Sequence, residues 1–463
     1  MVMFICDVPE LDKALGMEVY VTQTPGIGGR IRVKLEDFIV EEISKDKKRI
    51  HTSITGGKHK PPLKGSTEGD YIWFVLEKRN LDTISAIKII AKSLGLRYDF
   101  FSVAGLKDSK AITAQLVSAF NVDPTLLENF RDKYGNIKIR HCVKMPFRIT
   151  PGMLYGNHFI VVVRNILLPE EEITQRIQCI TSEIKERGLP AFYGYQRFGT
   201  IRPNTHIIGK YILQGKFEEA VMELVAHPYP NETPQVIELR EYIRNTGDYK
   251  GALKKFPRAL SHERIVLKHL AVRERDYIGA LRKLPKGIRK LFISAYQAYL
   301  FNKCLSKRIK RGIPINEAII GDLVAVRLKD GSLGGIIVAN EHNLDFLNER
   351  IAKGEMVLVL NVFGYGTVIQ EGVQGDIEKE VLKEEGISLD IFRSKHMPEV
   401  ATRGTYRRAS FYPEDLVISE VHEDELNVGA KKVTFEFTLG KGLYATVLLR
   451  EYMKPKNIIT AGF

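Results

Sequence analysis

The chain has 463 residues, of which 44% are hydrophobic, and carries 69 Lys and Arg residues against 56 Asp and Glu residues, a formal net charge of +13. That length exceeds one ordinary core and predicts at least two domains, and the positive charge favours an anionic partner, usually nucleic acid, over a protein that is merely basic. No stretch approaches the roughly 18 apolar residues of a membrane span, and the N-terminus lacks a signal-peptide pattern, so we expect a soluble, cytoplasmic protein with no membrane partner.

The cysteines, histidines and glycines give no sign of a metal or cofactor site. The 4 cysteines include no C-x-x-C pair, and the 11 histidines include no H-E-x-x-H motif. Residues 26–29 are rich in glycine, but no helical pattern follows them, which favours a turn before a strand over a phosphate-binding loop. We therefore predict no metal and no cofactor.

The first part of the chain alternates strand and helix patterns, which indicates an α/β or α+β domain. Apolar runs and alternation predict strands, and apolar residues at helical spacing, begun by Asp82 or Thr83 and ended by Gly95, predict a helix. The predicted strands lie at residues 30–43, 71–76, 100–104, 112–118 and 159–163, and the predicted helices at 83–95 and 170–187.

The middle of the chain is mainly helical, and strands return towards its end. Residues 215–285 are rich in Glu, Lys and Arg at helical periods, with few strand signals. A strong helical stripe begins at Ile288 and is closed by Gly312 and Pro314. Short strands then follow at residues 322–327, 334–338 and 356–360, a helix at 376–385, a strand at 433–439 and a helix at 444–453.

Asp108 lies between two of the predicted strands. The apolar residues 100–104 lead into Gly105, and residues 112–118 alternate in the pattern of a second strand. We therefore expect Asp108 on a short connection at a strand end, where rigid elements can present a reactive group. Spacing alone favours an ordinary turn carboxylate, because Asp is common in turns.

The residues around Asp108 form the pattern G-x-K-D-x-x-A-x-T-x-Q, which resembles the signature of the TruD family of tRNA pseudouridine synthases. Further segments resemble other elements of that family in the same order, which argues against an accidental match. These segments are residues 36–42 (D-F-x-V-x-E), 156–159 (G-N-x-F), 192–199 (F-G-x-Q-R-F-G), 294–302 (S-A-x-x-S-x-L-F-N), 406–409 and 445–451. Residues 215–285 have no counterpart in the shorter bacterial members and resemble the archaeal branch.

The resemblance implies an α+β fold, in which a pseudouridine synthase core with a mixed β-sheet is interrupted by an α/β TRUD insertion domain. We place the first part of the catalytic core at residues 1–190, the insertion domain at 191–402 and the second part of the core at 403–463. This division agrees with strand-rich ends that enclose a helical middle.

The resemblance also implies the chemistry, with Asp108 as the catalytic nucleophile of a tRNA pseudouridine synthase acting on uridine 13. The reaction breaks the N1–C1′ bond, rotates the uracil and rejoins it through C5, without a redox cofactor or a metal. A carboxylate can serve as a nucleophile, as in glycosidases; attack on C1′, addition to C6 and assistance of a glycal route are all open to it. It must be ionised where water is excluded, which a neighbouring cation favours. The family has a basic residue, often Lys, six positions before the Phe of D-F-x-V-x-E, and Arg32 stands there.

The same resemblance assigns Phe38, Asn157 and Tyr444 to the pocket for the flipped uracil, which is read by stacking and by hydrogen bonds to its edge. Bacterial members have Phe where this chain has Tyr444, whose hydroxyl needs a partner. Without the resemblance, Phe38 fits a core residue, Asn157 a turn residue and Tyr444 an aromatic residue at a helix start.

Lys107, Gln196 and Arg197 are candidates for contacts with RNA. Neighbours in an extended chain face opposite ways, so the Lys107 ammonium can point away from Asp108. Gln196 and Arg197 fall at the predicted domain junction, where Arg197 fits a phosphate contact and a structural carboxylate contact equally well.

Two alternatives to a pseudouridine synthase follow from the sequence. A non-catalytic RNA-binding or RNA-folding protein could share the fold, but such a protein has no need of Asp108. A methyltransferase would need a nucleotide-like cofactor site, and the sequence has no convincing glycine-rich turn between a strand and a helix. The expected partner is therefore tRNA.

Overall fold

The computed structural model describes residues 7–56, 64–66 and 68–463. In chain order the strands are β1 (Phe38–Ile43), β2 (Tyr71–Arg79), β3 (Phe101–Val103), β4 (Ile112–Phe120), β5 (Ile137–Met145), β6 (Gly156–Ile166), β7 (Leu189–Pro190), β8 (Leu323–Arg327), β9 (Leu333–Val338), β10 (Met356–Val362), β11 (Thr405–Arg408), β12 (Ser410–Phe411), β13 (Glu414–Ile418), β14 (His422–Glu423) and β15 (Lys431–Gly440).

The α-helices, again in chain order, are α1 (Glu10–Ala14), α2 (Thr83–Ser93), α3 (Pro124–Glu128), α4 (Glu170–Arg187), α5 (Thr205–Leu213), α6 (Phe217–Val225), α7 (Pro234–Thr246), α8 (Tyr249–Lys255), α9 (Ser261–Leu270), α10 (Tyr277–Arg282), α11 (Lys286–Lys310), α12 (Leu344–Ala352), α13 (Val373–Glu384) and α14 (Ala445–Met453). Short 3-10 helices lie at Leu35–Asp37, Tyr98–Phe100, Tyr195–Arg197, Leu389–Arg393 and Pro398–Val400. Within the described residues, no helix is long and apolar enough to cross a membrane.

The larger sheet joins strands from both ends of the chain. Its order is β13-β15-β6-β1-β4-β2-β5, with β14 beside β15 and β3 beside β4. β1 runs parallel to β4 and antiparallel to β6, so the sheet is mixed. Helices α4 and α14 contribute to the apolar core that contains the buried side chains of β6 and β15. The predicted α+β class, with a mixed sheet and helices, is confirmed.

The middle of the chain forms a helical region and a second sheet of order β11-β10-β8-β9. Helices α6 to α10 occupy the stretch whose charge periodicity predicts helices, and they pack with α11 and α13 around a separate apolar core. β11 pairs with β10, and β12 pairs with β7, before the chain re-enters the larger sheet at β13. The domain boundaries after residues 190 and 402 stay predictions.

Helix α2 shows how local sequence places an element next to the future site. The Asp82 side chain accepts a hydrogen bond from the Ser85 amide at 2.9 Å, which caps the helix start. Gly95, at a φ of 66°, follows its last turn, as the glycine pattern predicts. The apolar face, with Ala86 and Ile90, packs in one core with β2 and β4. The first turn of α2 therefore lies against the β4 side of the sheet.

Buried polar contacts hold three of the family-like segments together. Arg450 in α14 pairs with Asp12 at 2.5 Å, and neither side chain is exposed. The Tyr195 hydroxyl donates to the same Asp12 carboxylate at 2.7 Å. Asn302 in α11 accepts from the Tyr193 amide at 2.8 Å and donates to the Tyr193 carbonyl at 3.0 Å. Because buried polar groups need partners, these contacts fix segment 192–199 against α11 and α14.

The strand predicted over residues 30–43 is wrong in its first part, because regular pairing begins only at Phe38. Arg30 makes one isolated bridge to Arg164, and Arg32 has a φ of 57°, in the left-handed region that interrupts a strand. A 3-10 turn at Leu35–Asp37 then leads into β1.

Candidate functional site

A cleft of about 300 Å³ brings together residues that are far apart in the sequence. Its walls come from the start of β1, the start of β6, the connection between β3 and β4, the 3-10 turn at Tyr195–Arg197 and the start of α14. Its lining residues include Phe38, Leu106, Lys107, Asp108, Asn157, Phe159, Gln196, Leu443, Tyr444 and Thr446. The structure thus gathers six of the eight residues predicted for the site in one cleft, with Arg32 directly behind Asp108 and Arg197 outside the lining.

Side chains of the signature motif and of α2 hold the connection that carries Asp108. β3 pairs antiparallel with β4, so residues 104–111 form the connection of a hairpin, as predicted. The Gln115 amide donates to the Gly105 carbonyl at 2.9 Å, and its oxygen accepts from the Thr83 hydroxyl at 2.9 Å. The Thr83 oxygen accepts in turn from the Lys107 amide at 3.0 Å. Gln115, the Gln of the motif, therefore fixes the backbone of the connection that carries Asp108.

Lys107, one of the candidates for contact with RNA, has a buried side chain. Its ammonium lies 2.7 Å from the Glu42 carboxylate, and the two side chains are only 2% and 1% exposed. Glu42 also accepts a hydrogen bond from the Leu116 amide at 3.1 Å. This burial argues against a direct contact between the ammonium and RNA, and gives Lys107 a positioning role next to Asp108.

Lys78 is a residue of the site that the sequence reasoning missed. It lies near the end of β2, is fully buried, and donates to the backbone carbonyl of Asp108 at 2.6 Å and to that of Lys107 at 3.4 Å. Burial lowers the pKa of Lys78 to about 8, although the charges of Asp108 and Asp82 oppose this shift. In the sequence, Lys78 only continues the apolar strand 71–76. That position alone does not distinguish a buried lysine from one at a solvated strand end.

Arg32 supplies the positive charge beside Asp108. One guanidinium nitrogen lies 2.9 Å from Asp108 Oδ2, and another donates to the Gly462 carbonyl at 3.0 Å. The guanidinium carbon lies 4.1 Å from the centre of the Phe38 ring, a cation–π distance. Burial lowers the pKa of Arg32, and the charge of Asp108 partly offsets that effect. The Arg32 side chain is 10% exposed and that of Asp108 is 37% exposed, so only the carboxylate is substantially accessible from the cleft.

Gly462, also missed from the sequence, holds Arg32 from the C-terminal turn. Its φ is 90°, and a Cβ at this position would lie 2.1 Å from the Ile31 carbonyl oxygen. Only glycine fits both the conformation and the close approach. No sequence pattern near residue 462 indicates a contact with residue 32, because only the folding of the chain brings the two residues together.

The three residues assigned to the uracil pocket differ in accessibility. Phe38 is 1% exposed and packs edge-on against Phe159, with ring centres 6.3 Å apart. Asn157 is half-buried, and its Oδ1 atom is buried with no hydrogen-bond partner in the described part of the chain. Tyr444, the N-cap residue of α14, is also half-buried and lies 6.4 Å from the ring of Tyr193.

Gln196 and Arg197 separate in the structure. Gln196 is exposed at the cleft, and its side-chain oxygen accepts from the Thr446 hydroxyl at 3.3 Å. Arg197 lies with its guanidinium carbon 5.4 Å from the Tyr193 ring centre. Among residues 7–56, 64–66 and 68–463, no carboxylate pairs with Arg197. The alternative of a structural carboxylate contact therefore finds no partner in that part of the chain.

We predict that Lys78 titrates near pH 8 in the folded protein. Because this pKa lies below the ordinary value of 10.5, the unfolded chain binds more protons between these two values. The residue therefore costs stability at neutral pH, and this cost disappears as the pH rises from about 8 to 10.5. Carbon-13 NMR of protein labelled at lysine Cε gives the midpoint, and the Lys78→Met spectrum assigns the signal. A midpoint above pH 10 would contradict the proposed burial.

Comparison with known proteins supports the fold and the family resemblance. The sequence profile of the family described as tRNA pseudouridine synthase D (TruD) matches residues 14–452. The "Probable tRNA pseudouridine synthase D" of Methanosarcina acetivorans is 37% identical over 453 residues, which cover 97% of this chain and 98% of the relative. The protein of the same name from Pyrococcus abyssi is 36% identical, covering 94% and 98%. A crystal structure named as a TruD from Methanosarcina mazei matches with a TM-score of 0.79 at 35% identity, covering 97% and 98% of the two chains. The resemblance found in the motifs is confirmed, and the chain belongs to the TruD family.

Proposed function

We propose that this protein is a tRNA pseudouridine synthase that isomerises uridine 13 of tRNA, acts in the cytoplasm and uses Asp108 as its nucleophile. Membership of the family supports the reaction class. The observation that carries the residue assignment is the cleft itself, in which a part-exposed carboxylate pairs with the buried Arg32 opposite groups suited to a base.

The reaction is an isomerisation in which atoms and electrons balance within the nucleotide and the solvent. The N1–C1′ bond breaks, a C5–C1′ bond forms, the proton on C5 leaves and N1 gains one. Asp108 Oδ2 accepts from Arg32, whereas no hydrogen bond to Oδ1 is found among the described residues. One oxygen is thus held by a cation, and the other is free to meet the substrate. Arg32 places a positive charge beside that carboxylate in a cleft that the bound base would close to water.

Asn157 is suited to read the edge of uracil. A buried amide oxygen without a donor costs free energy, of the order of 1–3 kcal/mol, until a ligand supplies one. Uracil offers an N3–H donor flanked by two carbonyl acceptors, which complements a carboxamide. Tyr444 adds an aromatic ring to the same cleft. Phe38, being almost fully buried, contributes mainly by supporting the Arg32 guanidinium on its ring face.

Replacing Asp108 by Asn should abolish pseudouridine formation and leave tRNA affinity within a few-fold of wild type, because the amide keeps the shape but is no nucleophile. Position-resolved mapping of pseudouridine in an unmodified tRNA transcript measures the product, with protein prepared in a host that lacks its own enzyme. Asp390→Asn, an exposed carboxylate outside the cleft, is the matched control and should retain wild-type turnover.

Each alternative gives a different result in that experiment. Undiminished turnover by Asp108→Asn would contradict the nucleophile. Modification by wild type at another uridine would contradict position 13. Binding of tRNA by wild type with no pseudouridine formed would favour the non-catalytic RNA-binding protein.

Replacing Arg32 by Met should lower the single-turnover rate by at least about 100-fold, comparable to the loss of one preorganised charged donor, while tRNA affinity changes only a few-fold. The single-turnover rate of Arg32→Lys should lie between those of wild type and Arg32→Met, because lysine keeps the charge but not the paired contacts to Asp108 and Gly462. Arg30→Met is the control: Arg30 is exposed and bonds the neighbouring Thr460 carbonyl without touching Asp108. Equal losses of rate and affinity in Arg32→Met would make Arg32 an ordinary RNA contact.

A further inference from the structure

A second cavity, of about 540 Å³, lies between the larger sheet and the second sheet. Tyr155, just before β6, and Gly440, at the end of β15, line it together with residues of β8, β10 and β11. Leu443 lines both this cavity and the cleft that contains Asp108. The two spaces are therefore neighbours, and the volume is within the range of pockets that hold small-molecule-sized ligands.

Arg408 is the unusual charge in this cavity. It is half-buried at the end of β11, and one guanidinium nitrogen donates to the Gly331 carbonyl at 2.9 Å. In the described part of the chain no carboxylate lies within ion-pair distance of it. Burial and the neighbouring cations Arg327 and Arg407 lower the pKa of Arg408 to about 10, which still leaves it charged at neutral pH.

Arg327, Glu414 and Lys441, which also line the cavity, already have partners. Arg327 pairs with Glu414 at 3.1 Å, and Lys441 pairs with Asp330 at 3.4 Å. The Tyr155 hydroxyl also donates to Glu414, at 2.5 Å. Further lining residues with charge are Lys185, Glu186 and Glu317. Glu414 attracts Arg408 electrostatically, but it is already shared between two donors and forms no ion pair with Arg408.

A half-buried guanidinium beside two other arginines is unfavourable unless it binds an anion, because burial weakens its hydration and like charges repel. Arginine binds phosphate through parallel N–H donors. Arg407, the adjacent residue, donates to the Gly442 carbonyl at 2.9 Å and has its guanidinium carbon 6.0 Å from the Tyr444 ring centre. The arginine pair thus connects the cavity to the wall of the uracil cleft.

We propose that this cavity is a second RNA subsite, in which Arg408 binds a backbone phosphate of the strand that carries the target uridine. The proposal rests on the proposed function, because the strand must enter the neighbouring cleft. Tyr412, which lines the cavity and is 46% exposed, presents an aromatic ring on which a base next to that phosphate can stack.

The test is the salt dependence of tRNA binding by wild type, Arg408→Gln and Arg408→Lys. Loss of one phosphate contact should reduce the slope of log affinity against log salt by about 1. The ratio of the wild-type affinity to the Arg408→Gln affinity should accordingly fall about 4-fold between roughly 50 and 200 mM salt. Arg408→Lys should keep the wild-type slope. Lys379→Gln, which removes one exposed charge from α13, should also match wild type.

An unchanged slope in Arg408→Gln would overturn the subsite, and so would an equal loss in Arg408→Lys and Arg408→Gln, which would indicate a structural role. Thermal stabilisation of wild type by adenosine monophosphate without any change of slope in Arg408→Gln would make the cavity a small-ligand site and also overturn the proposal. Pseudouridine formation by wild type is measured on the same tRNA. Its absence would contradict the proposed function, whereas its presence with an unchanged Arg408→Gln slope would contradict only the subsite.

Discussion

The ion pair between Lys107 and Glu42 lies directly beneath the cleft, with both charged groups almost completely withdrawn from water. Such a pair adds little net stability, because desolvation cancels most of the attraction, but removing one partner costs about 3–5 kcal/mol. Its effect is therefore mainly one of position. Glu42 also accepts a hydrogen bond from the Leu116 amide of β4, and Lys78 donates to the backbone carbonyls of both Lys107 and Asp108. These contacts fix the backbone of the connection that carries the Asp108 carboxylate.

The same pattern of costly but specific interactions surrounds Arg32. Its left-handed backbone conformation costs of the order of 1–3 kcal/mol, and its guanidinium is removed from solvent. The Gly462 carbonyl, the Phe38 ring and the Asp108 carboxylate together hold it in place. Backbone strain and buried charge concentrated at one cleft are typical of functional sites, because neither contributes to the stability of a packed core. In the proposed reaction, preorganisation of this kind would let the charge pair act on the bound base without rearranging.

Much of the fold and part of the cleft could be predicted from the sequence. Local periodicity placed α4 and β15 closely, and motif order brought Asp108, Asn157 and Tyr444 to one site. The rest depends on contacts between distant segments. Nothing near Lys78 or Gly462 shows that each meets the Asp108–Arg32 pair, because their partners are chosen by strand pairing and by the C-terminal turn. Lys107 shows the opposite case, because its position next to Asp108 makes it a candidate for RNA contact, whereas the structure pairs it with the buried Glu42.

The central claim is that the cleft between Asp108, Asn157 and Tyr444 receives the target base. The most direct test is a crystal structure of the Asp108→Asn protein bound to its substrate tRNA, because a variant without the nucleophile should retain the unreacted nucleotide. We expect uridine 13 out of the helical stack, with its uracil edge on the Asn157 amide and C1′ facing residue 108. A uridine that stays stacked in the tRNA, or a base bound away from these three residues, would contradict the account.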